Sequence, residues 1–101
     1  MTLIFIKVFF KGLLALAPII LFLLAIIVVL GSIIGKKENW TKIDALYFAF
    51  ITATTVGYGD LRPSKNVSKI LSIIIAITGL ILTGLIVAIA LHAVEFSYKW
   101  V

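Results

Sequence analysis

The sequence contains no cysteine, one histidine, one methionine, two prolines and only four acidic residues among 101. Without cysteine, disulfides, thiolate metal sites and cysteine nucleophiles are all excluded, and cysteine usage says nothing about the redox compartment. The single histidine, His92, stands alone in an apolar run with no second histidine or paired carboxylate beside it. That leaves no constellation for acid–base or metal-assisted chemistry, so His92 reads as a packed or interfacial side chain and enzymatic activity is not expected. Charge is scarce as well: 13% of the residues are charged against 63% hydrophobic, and the mean hydropathy is +1.29. No water-soluble domain of this size carries such a composition on its surface, so the chain reads as a membrane protein.

What is abundant is long apolar sequence. From Gly12 to Gly35 there is no charge, and from Ile70 to Val94 the only ionisable side chain is His92. Each run exceeds the roughly 20 residues needed to cross a bilayer. Lys7 and Lys11 precede an apolar stretch containing Ala15-Leu16-Ala17, a pattern that a cleaved signal peptide also shows. The apolar run continues to Ile34, however, and cleavage there would leave most of the span behind, so a retained helix is the better reading. The net charge of +5 comes from nine scattered basic residues that mostly bracket the spans. They form no clustered basic face, so no nucleic-acid partner is expected, and contact with lipid head groups is the better use for them.

The layout is span, connector, span. The connector from Lys36 to Lys69 holds an apolar segment, "DALYFAFITA" (Asp44 to Ala53), which as a helix would be about 15 Å long, half of the hydrocarbon thickness. It enters a membrane without crossing it. Thr41-x-x-Asp44 predicts the helix start, with Thr41 as cap and an acid in the first turn. After Thr54 the pattern fails, because β-branched Thr54, Thr55 and Val56 run into Gly57 and Gly59. Backbone that leaves the helix at membrane depth is tolerated only where protein covers it or water fills a cavity. One copy cannot enclose such a cavity, so a self-assembly is implied. Pro18 predicts a kink in the first span. Ser72, Ala76, Gly79, Thr83 and Gly84 give the second span small residues for close helix packing.

Two spans, a half-span helix and the run "TTVGYGD" (Thr54 to Asp60) together resemble the pore module of potassium channels, and that run matches the family signature at every position. The resemblance covers nearly the whole chain, from about Gly12 to Glu95, and it implies the family's known mechanism. Four copies would face their filter strands toward one axis, an all-α membrane fold with a re-entrant pore helix and an extended filter. The expected elements are an outer helix over 12–35, a pore helix over 43–54, a filter over 55–59 and an inner helix over 68–95. Potassium ions would be held by the carbonyls of Thr55, Val56, Gly57 and Tyr58 and by the Thr55 hydroxyl, with Gly59 completing the filter. Lining up carbonyls in this way requires φ of alternating sign, which Gly57 and Gly59 reach without strain. The resemblance also implies that Val56 and Tyr58 point into the protein and that Asp60 anchors the outer end. Thr54, Tyr47, Phe48 and Ile51 would support the filter from behind. Ile51 stands where some members have a carboxylate, and Tyr47 and Phe48 stand where relatives often have tryptophan.

Family members often have a glycine about 20 residues after the last filter glycine. Gly79 occupies that place here and Gly84 is a second hinge candidate; helix packing is the competing role for both. Leu80, Thr83, Val87, Leu91 and Glu95 recur at three- or four-residue intervals on one helical face, so they are the expected pore lining, with Glu95 forming an acidic ring or, alternatively, a solvated pair with Lys99. Six of the basic residues lie in the connector and three near the ends. The charge rule would therefore put the filter in the cytoplasm. The family places it outside with both termini in the cytoplasm, here expected of a prokaryotic plasma membrane, and the filter match is the more specific signal. The only arginine, Arg62, lies in the connector, so no voltage sensor is visible in this sequence. The chain reads as a minimal channel or as the pore part of a longer protein with a regulatory domain. Two rival readings stand beside a potassium channel: a non-selective cation channel of the same fold, whose filter lacks the tyrosine, and a two-span structural protein whose glycine-rich loop merely turns.

Overall fold

The computed structural model describes residues 1–99 and is helical almost throughout. Four helices follow one another: α1 Thr2–Ala15, α2 Ala17–Glu38, α3 Lys42–Ala53 and α4 Asn66–Lys99. No strand occurs among the described residues, so the glycine-rich stretch is not half of a β-hairpin. Helices α2 and α4 are long and apolar enough to cross a membrane, whereas α3, with 12 residues, is not.

The first apolar segment differs from the single helix expected over 12–35. The chain is already helical at Thr2 and breaks at Leu16. Pro18 lies in the first turn of α2, where its missing N–H leaves no intrahelical bond unmade and its fixed φ suits the start of a new helix. Helix α1 packs along the far end of α4, with Gly12 so close to Ile89 that an added Cβ would lie 2.6 Å from its Cγ2.

Helix α2 ends at Asn39, whose left-handed conformation (φ 59°, ψ 36°) stops it. The following Trp40 N–H returns to the Gly35 carbonyl at 2.9 Å, a helix stop that asparagine accommodates better than most residues. Two residues later α3 begins with Thr41 extended at its cap, and the Thr41 hydroxyl accepts a hydrogen bond from the Asp44 N–H at 3.1 Å. The predicted cap is present.

Helix α3 sits in the angle between α2 and α4. A buried cluster of Ile27, Ile34, Phe48, Ala49, Ala53 and Ile75 joins the three helices. The closest approaches pair alanines of α3 with glycines of its neighbours. A Cβ on Gly31 would lie 2.5 Å from the Ala49 Cβ and one on Gly35 would lie 2.5 Å from the Ala45 Cβ; one on Gly79 would strike the Ala53 backbone. Ala45, Ala49 and Ala53 are one turn apart, so they form a ladder of methyl groups, each rung seated on a glycine. This ladder fixes α3 along its own axis and so positions the segment that follows it.

Candidate functional site: the 54–60 segment

Helix α3 ends at Thr54, which closes the last turn: its N–H bonds the Phe50 carbonyl at 2.9 Å and its hydroxyl bonds the same carbonyl at 2.6 Å. The chain then folds back along α3. The Thr55 N–H reaches the Thr52 carbonyl at 3.2 Å, and the Gly57 N–H reaches the Ile51 carbonyl at 3.1 Å. One turn further back, the Tyr47 hydroxyl donates to Asp60 Oδ2 at 2.9 Å. Partners therefore move backward along α3 as the segment moves forward. Each bond occupies a group that a helix end leaves unmatched or a side chain one turn away.

The backbone dihedrals of this segment alternate. Thr55 (φ 67°), Gly57 (φ 54°) and Gly59 (φ 83°) have positive φ, and the intervening Val56 and Tyr58 do not. The positive φ of Gly57 and Gly59 is the conformation expected from the glycine spacing. Thr55 is the surprise, because a β-branched residue at positive φ is strained by about 1–3 kcal/mol. Strain of that size persists only where surrounding contacts hold it, and the bonds at Thr55 and Gly57 flank it directly.

The expected supporting residues separate into different roles. Tyr47 reaches the segment directly. The hydrogen bond it donates to Asp60 and the nearby Asp60 charge push its hydroxyl above the ordinary tyrosine pKa. Ile51 meets the segment through its carbonyl, which accepts the Gly57 N–H. Phe48 faces the other way, buried in the core with its ring centroid 5.0 Å from that of Trp40. Consecutive residues on a helix point about 100° apart, so one of the pair faces the segment and the other the core. Tyr58 is 70% exposed and Val56 50% exposed in the single chain.

On α4, Gly79 is buried against Ala53, whereas Gly84 has no neighbour for an added Cβ within 4 Å. Leu80, Thr83, Val87, Leu91 and Glu95 are all exposed, while Ile75, Thr78, Gly79, Ile89 and Ala93 are buried. The face expected to line a pore is thus the face turned away from the rest of the chain. His92 borders an apolar recess of about 340 Å³ with Gly12, Leu16 and Ile89 at the α1–α2 break, and no cluster of metal-binding side chains exists among the described residues.

Residues 8–96 match the model of a family described as "Ion channel". Among curated relatives, two pore potassium channel a of Oryza sativa subsp. japonica is 39% identical over 77 residues, covering 76% of this chain and 22% of the relative. Two pore potassium channel b of the same plant is 36% identical over 73 residues, covering 72% and 21%. A voltage-gated potassium channel of Aeropyrum pernix is 49% identical over 37 residues, 37% of this chain and 12% of the relative. The chain spans about a fifth of the length of the two rice relatives. No solved structure matches it. Two apolar helices of spanning length and a family match over nearly the whole chain make this an integral membrane protein, and it belongs to the ion channel family.

Proposed function

We propose that four copies of this chain enclose a potassium-selective pore. The observation that carries the reading is the alternation of φ at Thr55, Gly57 and Gly59 in a segment bonded back onto α3. Dehydrated potassium needs several oxygens at once, and a ring of backbone carbonyls supplies them. The ion sites in this reading are the carbonyls of Thr55, Val56, Gly57 and Tyr58 and the Thr55 hydroxyl, with Gly59 at the outer end. The C-terminus of α3 directs the negative end of its dipole toward the cavity below the filter and favours a cation there.

The exposed side chains of Val56 and Tyr58 support assembly. An apolar side chain and a tyrosine ring on either side of Gly57 require cover, which neighbouring copies supply if the segments converge on a shared axis. The pore lining is then Leu80, Thr83, Val87, Leu91 and Glu95. The relatives named as potassium channels agree with the ion assigned here. The intact Tyr58 favours potassium selectivity over the non-selective alternative. The filter faces outside and both termini face the cytoplasm of a prokaryotic cell in this reading, with Gly84 as the hinge candidate free of packing duty.

The decisive experiment is ion flux from vesicles containing the purified protein. Potassium efflux with sodium retained is the expected result. Passage of both ions would favour the non-selective channel, and passage of neither would favour the structural protein. Crosslinking in mild detergent is expected to give a ladder ending at four.

A further inference from the structure

Helix α4 has different neighbours along its two halves. In the half near the 54–60 segment it is held through α3, where Gly79 lies against Ala53. In the other half it is covered by α1, which packs chiefly on α4 and only slightly on α2. Ile89, Ala93 and Ser97 of α4 are buried there, one turn apart. Gly12 makes the contact close: an added Cβ would lie 2.6 Å from Ile89 Cγ2 and 3.7 Å from Ile89 Cβ. The two helices run in opposite directions, since Gly12 meets Ile89 while Leu16 lines a recess with Leu85 and Ala88.

Where these halves meet, each of the two helical runs has a weak point. In the first run α1 ends and α2 begins at Leu16, whose φ of −100° and ψ of 8° depart from the helix. Pro18 follows, and it has no N–H with which to bond the Leu14 carbonyl four residues back. In α4 the weak point is Gly84, where nothing lies within 4 Å of an added Cβ. Glycine inside a helix costs about 1 kcal/mol relative to alanine, so the backbone bends there more readily. Gly84 directly precedes Leu85, which shares the recess with Leu16, so the two weak points stand at one level. The recess between them holds about 340 Å³. That space lets both helices bend without compressing close-packed side chains.

We propose that α1 and residues 85–99 of α4 form one rigid arm, which swings about a pair of hinges at Leu16–Pro18 and at Gly84. The proposal rests on the potassium-channel reading above, in which the arm carries Leu91 and Glu95 toward and away from the axis. Bending α4 alone, with the first run held straight, would pull Ile89 off Gly12 and uncover Ala93 and Ser97. Bending both runs at one level keeps that contact whole. The moving part is then a packed pair of helices rather than a single helix end, so Leu91 and Glu95 travel together.

The test uses the assembled protein in planar bilayers and exploits a chain without cysteine. Gly12→Cys combined with Ile89→Cys places two Cβ atoms 3.7 Å apart, within the range of about 3.5–4.5 Å that a disulfide spans. It also removes the Cγ2 that a Cβ on Gly12 would strike. The oxidised and reduced forms are expected to open and close at the same rate, because the bond lies within the arm. Pro18→Ala restores the missing N–H and lets one helix run through Leu16, so it is expected to slow opening and closing several-fold. Gly84→Ala is expected to slow them likewise, and the double variant to be no slower than the slower single variant, since one stiffened hinge already holds the arm. Oxidation that halts opening would overturn the arm by showing that α4 swings away from α1, and so would failure of the pair to form a disulfide. Wild-type rates in Pro18→Ala would overturn the paired hinge, whatever its effect on thermal stability. A wild-type protein that passes sodium as freely as potassium would instead overturn the selectivity beneath the proposal, while the rates still test the arm. A protein that passes neither ion would overturn both.

Discussion

Gly79 of α4 lies directly against the backbone of Ala53, the last residue of α3, with no room for a Cβ between them. The atoms that would be struck are main-chain atoms, which cannot rotate aside. Gly79→Ala is therefore expected to cost about 1–3 kcal/mol per chain, the range for overpacking a close contact. Lower thermal stability of the assembled protein would register it. Gly84→Ala is the control, since nothing approaches that position within 4 Å and alanine favours a helix over glycine by about 1 kcal/mol. Gly84→Ala is expected to be as stable as wild type or more so, and a change in its opening would mark Gly84 as the hinge. Equal losses in the two variants would refute the packing role of Gly79.

Gly57→Ala separates backbone conformation from crowding. Gly57 has φ 54° and no atom within 4 Å of an added Cβ in its own chain. The penalty is therefore conformational, about 1–2 kcal/mol in each chain. Potassium flux is expected to vanish while assembly persists. A conducting Gly57→Ala channel would show that the ion sites have been placed on the wrong residues.

Tyr47 gives a pH dependence with a definite sign. Its hydroxyl pKa is raised above the ordinary value near 10.0, chiefly because it donates to Asp60. A group whose pKa is raised on folding contributes its stabilisation fully below the unfolded value and loses it as pH rises through the folded value. Wild type is thus expected to lose ion selectivity above about pH 10, the ordinary tyrosine range. Tyr47→Phe, with no hydroxyl to titrate, is expected to be impaired at neutral pH and to show no such step. An alkaline step of equal size in both proteins would assign it elsewhere.

Glu95 is exposed, as is Lys99 one turn away, so ring and surface pair remain distinct outcomes. A four-fold ring at the inner mouth would concentrate cations, an attraction that fades as the Debye length falls from about 30 Å at 0.01 M salt to about 3 Å at 1 M. Glu95→Gln is expected to reduce outward single-channel current strongly in dilute potassium and hardly at all in concentrated potassium. Unchanged current in dilute potassium would leave Glu95 as an exposed partner of Lys99, worth about 0.3–0.5 kcal/mol.

The features legible in the sequence were those set by neighbours along the chain. The Thr41 cap and the positive φ of Gly57 and Gly59 follow from one to four consecutive residues, whereas Pro18 predicts a kink in one helix where the chain breaks into two. Thr55 at positive φ runs against the preference of its own side chain, so no local rule announces it. Glu38 accepts hydrogen bonds from Ser64, 26 residues further along, and the alanine ladder of α3 is complete only with glycines from two other helices. Alanine counts as apolar in any periodic pattern, which hides the fact that its small size is what matters here. The early start of α1 has no local signal, because Lys7 and Lys11 resemble charges that flank a span, yet both lie within the helix.

The alanine ladder also determines which movements α3 can make. Its rungs recur every four residues, about 6 Å apart along the axis. A slide of half that distance would drive methyl groups out of the glycine notches and into the bulkier side chains between them. The helix is therefore indexed, seated in its notches or displaced by a whole step, with no shallow gradient between. Any gating movement of α4 that leaves Ala53 on Gly79 must pivot about that contact, and the segment beyond α3 then keeps its height while the far end of α4 swings.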